Sequence, residues 1–399
     1  MFIASVVSYF WVTGIIQSFL SLYHNNKTFP ERKTDINKRS PEIFNAFILL
    51  FFFSMLICLL GIIFRNNIFV YREVKEIPFF NLLLIYLLLS NPSHLVEYIY
   101  LLKNKSSQIV YYGVITYIIQ LVLIAGPIML GYPLIYGVWG LVISSAIRFA
   151  WMTVLIFKYA KFSISFHFIK SHIALGMPLI ISTLLSGSAQ YIDGLIIANR
   201  FDANAFALFR YGAKELPFVV LLAQGLSSAM IPEFSNSERF KENLRALRKK
   251  SMRLIQTLFP ISILFLFSSD WLFPRMFNDS FGRSSDVFMV YILLIVSRLL
   301  FPQTILIGLK KTRVVMGASI IGIILNIVLS IYMVKEYGLT GVAVATVIIF
   351  VLEKLVLILY NYLKLGIKPK EYIPVKLHLA YSAVILVLFV LIDHNIINF

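Results

Sequence analysis

Between Ser171 and Phe234 the chain holds two long apolar runs, Ile173 to Asn199 and Ala203 to Pro232, joined by a tight polar link at Arg200 to Asp202. Each run exceeds the ~20 helical residues that cross the ~30 Å hydrocarbon layer of a bilayer. In lipid a backbone must satisfy its own hydrogen bonds, which leaves helices or closed barrels. The few polar residues keep helical spacing and select the helix. Ser182, Ser186, Gln190 and Asp193 share one face of the first run at steps of four, four and three. Arg210, Lys214, Gln224 and Ser228 share a face of the second at steps of four, ten and four. Polar stripes at this depth are costly unless they line a cavity or find partners.

The rest of the chain has the same character. Hydrophobic residues make up 59% and charged residues 14%, at a mean hydropathy of +0.84. A soluble domain of this length would lack the charge to wet its surface, so the class is a polytopic membrane protein. Ten further spans read as Met1 to Tyr23, Phe44 to Phe64, Ile77 to Leu102, Ile109 to Leu130, Val138 to Ala160, Leu254 to Pro274, Val287 to Leu309, Val314 to Val334, Gly341 to Tyr362 and Leu377 to Ile392, making twelve. The lone Cys58 lies in an apolar run, which excludes an intrachain disulfide and a Cys-based metal site. Asp279 and Asp286 flank Phe281 and Gly282 without metal-ligand spacing.

Lys and Arg fix the orientation. Alternate loops starting with the first hold 24 of the 36, and the other loops hold 7. The remaining five (Arg148, Arg210, Lys214, Arg298 and Lys354) lie inside spans. The rich set belongs in the cytoplasm, which puts both termini outside. The +17 formal charge therefore reads as topology, and nucleic acid is not an expected partner. An outward start without a basic leader would be natural if one more helix preceded Met1. The longest loops, His24 to Ile43 and Glu233 to Arg253, are both cytoplasmic on this count. The second carries Arg239, Lys241, Arg245, Arg248, Lys249, Lys250 and Arg253 and reads as a basic amphipathic linker on the anionic leaflet.

A repeat divides the chain. Gly137-Val-Trp-Gly140 and the following Leu-Val-Ile-Ser-Ser145 match Gly338-Leu-Thr-Gly341 and Val-Ala-Val-Ala-Thr346 at a constant offset of 201. Pro92 precedes Lys103 as Pro302 precedes Arg313. Each half thus has a Pro-bearing helix, a short basic loop, a helix, a Gly-x-x-Gly turn and a helix of small residues, in the same direction across the membrane.

Gly176-Met-Pro178, Asp193, Tyr211-Gly-Ala213 and Ile231-Pro232-Glu-Phe-Ser235 resemble the seventh and eighth helices of the polysaccharide-transporter flippases. Asn326-Ile-Val-Leu-Ser330 through Tyr337-Gly-Leu-Thr-Gly341-Val-Ala-Val-Ala345 is similar to their eleventh and twelfth. These Wzx-type O-antigen and capsule flippases belong to a larger group with the multidrug and toxin extrusion (MATE) transporters and the lipid II flippase. The resemblance spans nearly the whole chain, but its motifs are diffuse. It implies an all-α, MATE-like protein of about twelve transmembrane helices in two pseudo-repeated bundles around a cavity that opens alternately to either side. The expected parts are a five-span bundle at 1–160, a cytoplasmic linker at 161–171, a six-span bundle at 172–363 and an extra transmembrane helix at 364–399. The family has six spans before that linker, so its first helix is expected to be missing.

The function implied is export of a polyprenyl-diphosphate-linked oligosaccharide across the bacterial inner membrane for O-antigen, capsule or exopolysaccharide synthesis. No cofactor is expected, and coupling is to a proton or sodium gradient. Partners implied are the lipid-linked oligosaccharide, membrane lipids, a polysaccharide polymerase and a chain-length regulator. A diphosphate at low dielectric needs cations. Arg148 and Arg298 lie about ten residues into their spans, near the bilayer centre at ~1.5 Å per residue, and Arg210 and Lys214 lie in outer halves. With Gln190, Gln224 and Asn326 they form the candidate substrate set. Asp193 and Glu353 are candidates for coupling or for ion pairing, and the hairpin puts Asp193 and Arg210 at similar depth. Pro92, Pro178, Pro217 and Pro302 are candidate kinks. A MATE-type cation antiporter would carry a carboxylate-dominated cavity, and the cations at depth tilt against it. A membrane glycosyltransferase or polymerase would need sizeable outward loops, whereas the longest here are cytoplasmic.

The orientation has a direct test. With Cys58 replaced, single cysteines placed at residues 103–105, 161–170 and 364–376 should react with a membrane-impermeant maleimide only in inverted vesicles. Cysteines at residues 131–133 should react only in intact cells. The reverse pattern would overturn the charge count.

Overall fold

The computed structural model describes residues 2–23, 39–63, 79–235, 239–276 and 282–393. Most of the loop read from His24 to Ile43, and Asp279, lie outside these. The described chain falls into two compact units, Met1–Ile180 and Ile181–Phe399.

The first unit holds α1 (Phe2–Tyr23), α2 (Pro41–Ile63), α3 (Phe80–Ser93), α4 (Leu95–Leu102), α5 (Ser106–Met129), α6 (Leu134–Tyr159) and the first part of α7 (Phe166–Arg200). Helix α6 packs against α3 and α5, and α2 against α3. The start of α7 is tied to α1 at two points. Buried His172 hydrogen-bonds the Ile15 carbonyl at 2.8 Å, and a Cβ at Gly14 would lie 2.6 Å from Ile180. Between α6 and α7 the backbone is extended. Ser40 pairs there with Tyr159 and Lys161, while Asn45 donates to the Ser163 carbonyl and accepts from the Ser165 amide.

The second unit holds the rest of α7, then α8 (Ala203–Gly212), α9 (Pro217–Phe234), α10 (Phe240–Met276), α11 (Ser284–Ile292), α12 (Ile295–Arg298), α13 (Pro302–Gly308), α14 (Thr312–Leu365), α15 (Pro369–Tyr372) and α16 (Val375–Asp393). One apolar core gathers Phe234, Leu258, Phe259, Phe301 and Tyr372, and a second gathers Ile197, Phe209, Tyr291 and Val342. Between helices in lipid, close packing and interhelical hydrogen bonds supply this cohesion.

Among the described residues nine helices are long and apolar enough to cross a membrane, and a tenth is formed by Ser284–Arg298 and Pro302–Gly308 bent by 47°. At 54 residues α14 would measure ~80 Å, far beyond one bilayer. It is two arms that turn at Gly338, where φ is +59° and the backbone leaves the helix. Counting both arms, and α1, gives the twelve segments read from sequence.

Three local readings change. The run from Ala203 to Pro232 is two helices, because Pro217 has no N–H to donate and holds Leu216 extended. The basic residues from Lys241 to Arg253 are not a loop: they form the first turns of continuous α10, with Leu244, Leu247 and Ser251 buried and Arg245, Arg248 and Lys249 exposed. In the first half the turn comes at Gly131 (φ +81°) ahead of Pro133, so Gly137 and Gly140 lie inside α6. Gly140 and Gly341 still play one role. A Cβ at Gly140 would collide with the Leu123 carbonyl of α5, and one at Gly341 with the Met333 carbonyl of the other arm. Each lets two antiparallel helices close to backbone contact.

The repeat also reappears where the sequence matches only loosely. Residues 103–106 and 309–312 build the same turn, with Asn104 (φ +55°) and Lys310 (φ +61°) left-handed at its centre. In the first, Lys103, Asn104 and Lys105 donate to the carbonyls of Ile99, Leu101 and Tyr100; in the second, Leu309, Lys310 and Lys311 donate to Ile305, Ile307 and Leu306.

Gly140→Val and Gly341→Val should each cost about 1–3 kcal/mol by forcing a hairpin apart, seen as a lower melting temperature in detergent. Gly317→Ala, with nothing within 4 Å of the new Cβ, should be neutral. Equal stability of all three would refute the close-contact role.

Candidate functional site

The stripe on α7 is answered by α14. Ser182 and Ser186 reach Ser319 on the first arm at 2.7 and 3.4 Å, and Ser319 donates to Glu353 on the second arm at 2.8 Å. Further along α7, Asp193 has no exposure and is wrapped by hydroxyls. Thr346 donates to it at 2.5 Å, and Ser330 and Tyr291 lie at 3.5 Å. Asn326, buried one turn before Ser330, donates to Thr346 Oγ1 at 2.9 Å, while its own Oδ1 is buried with no hydrogen-bond partner among the described residues. Five oxygen-bearing side chains from α7, α11 and both arms of α14 therefore converge within the second unit.

The hydrogen bonds of Asp193 run to hydroxyls and not to Arg210, which is exposed at the last turn of α8. The ion-pair alternative for Asp193 is thus replaced by a hydroxyl cage. Equal depth on a hairpin fixes height and leaves the facing direction open. The second stripe does not survive as one face. Arg210 is on α8, Lys214 is exposed on the link, and Gln224 and Ser228 are on α9, with Gln224 exposed. The side chain of Gln190 lies outside the described residues.

The link that breaks this stripe has its own use. It carries Glu215, which takes both Arg298 Nε and a terminal nitrogen at 2.6 Å in a bidentate pair. Arg298 sits at the end of α12, just before the bend at Pro302, and its guanidinium lies 4.7 Å from the centre of the Phe350 ring. Two proline-associated breaks in different spans are thereby bridged. A fork-on-fork pair is among the stronger contacts available at low dielectric. Beside it, buried Lys354 donates to Gln303, while neighbouring Glu353 takes Ser319, so the two charges face different partners.

In the first unit Arg148 on α6 donates to Gln120 on α5 at 2.6 Å and lies 4.8 Å from the centre of the Tyr117 ring. Its Nε is buried without a hydrogen-bond partner among the described residues. Glu97 on α4 and His94 at the α3–α4 break stand within its electrostatic reach.

Among the kink candidates, Pro92 ends α3 at that break, and Pro178 lies inside unbroken α7. Pro217 and Pro302 stand at the starts of α9 and α13, where a missing N–H costs nothing. Sequence reading passed over Glu215 as the partner of Arg298, and Tyr291, Ser330 and Thr346 as partners of Asp193. The spacing of Asn326 and Ser330 by four was a usable signal. For Glu215 there was none, because its direction depends on the break.

A model of the polysaccharide biosynthesis protein family matches residues 25–286, more than half of the chain. No curated protein matches. Among solved structures, the fold is similar to a MOP superfamily transporter from Pyrococcus furiosus (TM-score 0.73, 14% identity, 91% of this chain and 86% of that one). A mutant of the Vibrio cholerae MATE transporter VcmN superposes with a TM-score of 0.74 at 11% identity, over 91% of this chain and 86% of its own. The lipid II flippase MurJ in an inward closed conformation gives 0.61 at 18% identity, over 98% of this chain and 85% of its own. At these identities the likeness is one of fold.

Arg298→Ala leaves Glu215 half-buried and uncompensated, and should cost about 1–3 kcal/mol. The double change Arg298→Ala with Glu215→Ala should recover part of that loss in a detergent melt. Additive losses would mean the pair is not coupled.

Proposed function

The chain belongs to the polysaccharide biosynthesis protein family, and from that premise we propose that it is a flippase. Its substrate is a polyprenyl-diphosphate-linked oligosaccharide, carried from the cytoplasmic to the outer leaflet by alternating access. The observation that carries this reading is the conjunction of that family with a multi-pass fold of the MOP transporter type. The setting is the bacterial inner membrane. The product feeds synthesis of an O-antigen, capsule or exopolysaccharide, and the partners are a polymerase and a chain-length regulator.

Coupling is assigned to Asp193. An ionised carboxylate without exposure costs far more than its neighbours return: hydroxyl bonds to a charged group supply about 1.5–3 kcal/mol each, against tens of kcal/mol for an isolated buried charge. The balance calls for a proton or a small cation. Carboxylate, hydroxyl and amide oxygens from Asp193, Ser330, Thr346 and Asn326 are a hard donor set, suited to H⁺ or Na⁺ and not to a soft metal. The ion is cargo, taken up from one side and released to the other.

Candidate contacts for an anionic headgroup are, taken separately, Arg148 within the first unit and Arg298, Arg210 and Lys214 within the second. Arg148 is the stronger candidate. The groups in contact with it, Gln120 and Tyr117, are neutral, and a phosphate would compete for its charge only with Glu97, which stands within electrostatic reach. Arg298 would have to exchange Glu215 for the substrate.

Deletion of the gene should abolish surface polysaccharide while lipid-linked units accumulate on the cytoplasmic face. A change in cation-drug tolerance alone would instead mark a MATE-type antiporter. In proteoliposomes, Asp193→Asn should still bind lipid-linked glycan but lose the response to an imposed Na⁺ or H⁺ gradient. Arg148→Ala should weaken glycan binding about tenfold, the loss of one charge-assisted contact. Full gradient response in Asp193→Asn would remove the coupling assignment.

A further inference from the structure

Asp193 and Arg298 belong to different clusters, yet within the second unit two elements connect them. The first is α11 with α12. Buried Tyr291 on α11 brings its hydroxyl to 3.5 Å from Asp193, and Arg298 closes α12 seven residues later. Leu293 and Leu294 between them keep right-handed helical backbone, so the rise continues from one helix into the next. The second element is the later arm of α14. Thr346 donates to Asp193 at 2.5 Å, and Phe350, one turn on, lies 4.7 Å from the Arg298 guanidinium. Each element thus meets the carboxylate at one point and the guanidinium at another.

Glu215 hangs from a frame that is itself set against α11. A Cβ at Gly212 would collide with the Ser284 carbonyl, and Ser284 Oγ donates to the Leu208 carbonyl at 2.9 Å. Phe209 meets the Tyr291 ring edge to face at 6.4 Å. With α8 clamped on α11 there, a shift of α12 is felt at the far end, where Glu215 takes Arg298 at 2.6 Å. The other charges near this pair are Glu353 and Lys354, on the arm that carries Thr346. The Tyr291 hydroxyl has one proton to give and two takers. Its bond to Asp193 is at the long limit, and the Thr346 hydroxyl is also within its reach. An ionised carboxylate draws the proton, because charge-assisted bonds are roughly twice as strong as neutral ones. Once Asp193 takes a proton or a small cation, that preference is gone.

We propose that Tyr291 is a positioning residue that ties the charge of Asp193 to the hold of Arg298 on Glu215. With Asp193 ionised, Tyr291 and Thr346 are drawn to it and the bidentate pair is in register. Neutralising Asp193 releases Tyr291, lets α11 and α12 shift against the link before Pro217, and weakens the pair. Arg298 then exchanges Glu215 for the phosphate of a headgroup. The linkage is reciprocal, so an anion on Arg298 in turn favours the neutral form of Asp193. This deepens the transport reading and rests on it for the identity of that anion.

The test is a double-mutant cycle for Arg298→Ala and Glu215→Ala, read by thermal melts of the purified full-length chain in detergent. It is run in wild type, in Asp193→Asn, in Tyr291→Phe and in the combination of those two. Asn holds the place of a neutral Asp193. The Arg298–Glu215 coupling constant should be large in wild type and fall about tenfold in Asp193→Asn. Tyr291→Phe keeps the ring against Phe209 and removes the hydroxyl, and in that background Asp193→Asn should no longer change the coupling. A merely structural tyrosine would lower the melting temperature and leave the Asp193 effect intact. A tenfold fall that persists in Tyr291→Phe therefore overturns the proposal. So does unchanged coupling in Asp193→Asn, a result that stands even if Tyr291→Phe does not fold. Neither glycan nor gradient enters this measurement. Its failure leaves the flippase reading in place, whereas that reading fails by the gene deletion.

Discussion

Lipid offers no hydrogen bonds, and in the second unit the stripe of Ser182, Ser186 and Asp193 on α7 takes its partners from other helices. Ser182 and Ser186 are answered by Ser319, and Asp193 by Thr346, Ser330 and Tyr291. The partners come from two arms of one 54-residue element, and they face α7 together only because Gly338 reverses the chain. A left-handed glycine is therefore what lets a single hairpin present Ser319 and Ser330 on one arm and Thr346 and Glu353 on the other. Loss of that turn would leave a carboxylate in hydrocarbon with a fraction of its donors.

Breaks in helices do comparable work. Irregular backbone at membrane depth survives where protein covers it, and here the coverage is chemical. The link before Pro217 sends Glu215 across to Arg298, which itself stands at the bend before Pro302. In the first unit His94 marks the equivalent break after Pro92, near Arg148 and Glu97. Proline thus acts less as a hinge within a helix than as the point where a span is cut and a charged residue can turn aside. The two units also share a turn that their sequences barely share. Residues 103–106 and 309–312 make the same three hydrogen bonds around a left-handed residue, asparagine in one and lysine in the other. Backbone geometry has outlasted side-chain identity there, which is why the lysine stands out.

Much of this was legible beforehand. The apolar runs gave the twelve segments, and the offset repeat paired Gly140 with Gly341, which hold equivalent close contacts. The spacing of Ser182, Ser186 and Asp193 gave a face that does behave as one surface. The second stripe failed because its step of ten spans a proline, and helical phase is lost across extended backbone. The basic run from Lys241 to Arg253 was misread as a linker because charge density resembles a loop, while its buried positions Leu244, Leu247 and Ser251 keep helical phase.

The sequence by itself determined class, span number, repeat and family resemblance, since these follow from hydropathy, length and period, which are properties of a chain in order. Only the tertiary structure decided partners. Asp193 took hydroxyls where depth had suggested Arg210, and Arg298 took Glu215. The reason is geometric. Sequence fixes how deep a residue sits in a bilayer, but the direction in which its side chain points depends on where each helix is cut, turned and packed against the next.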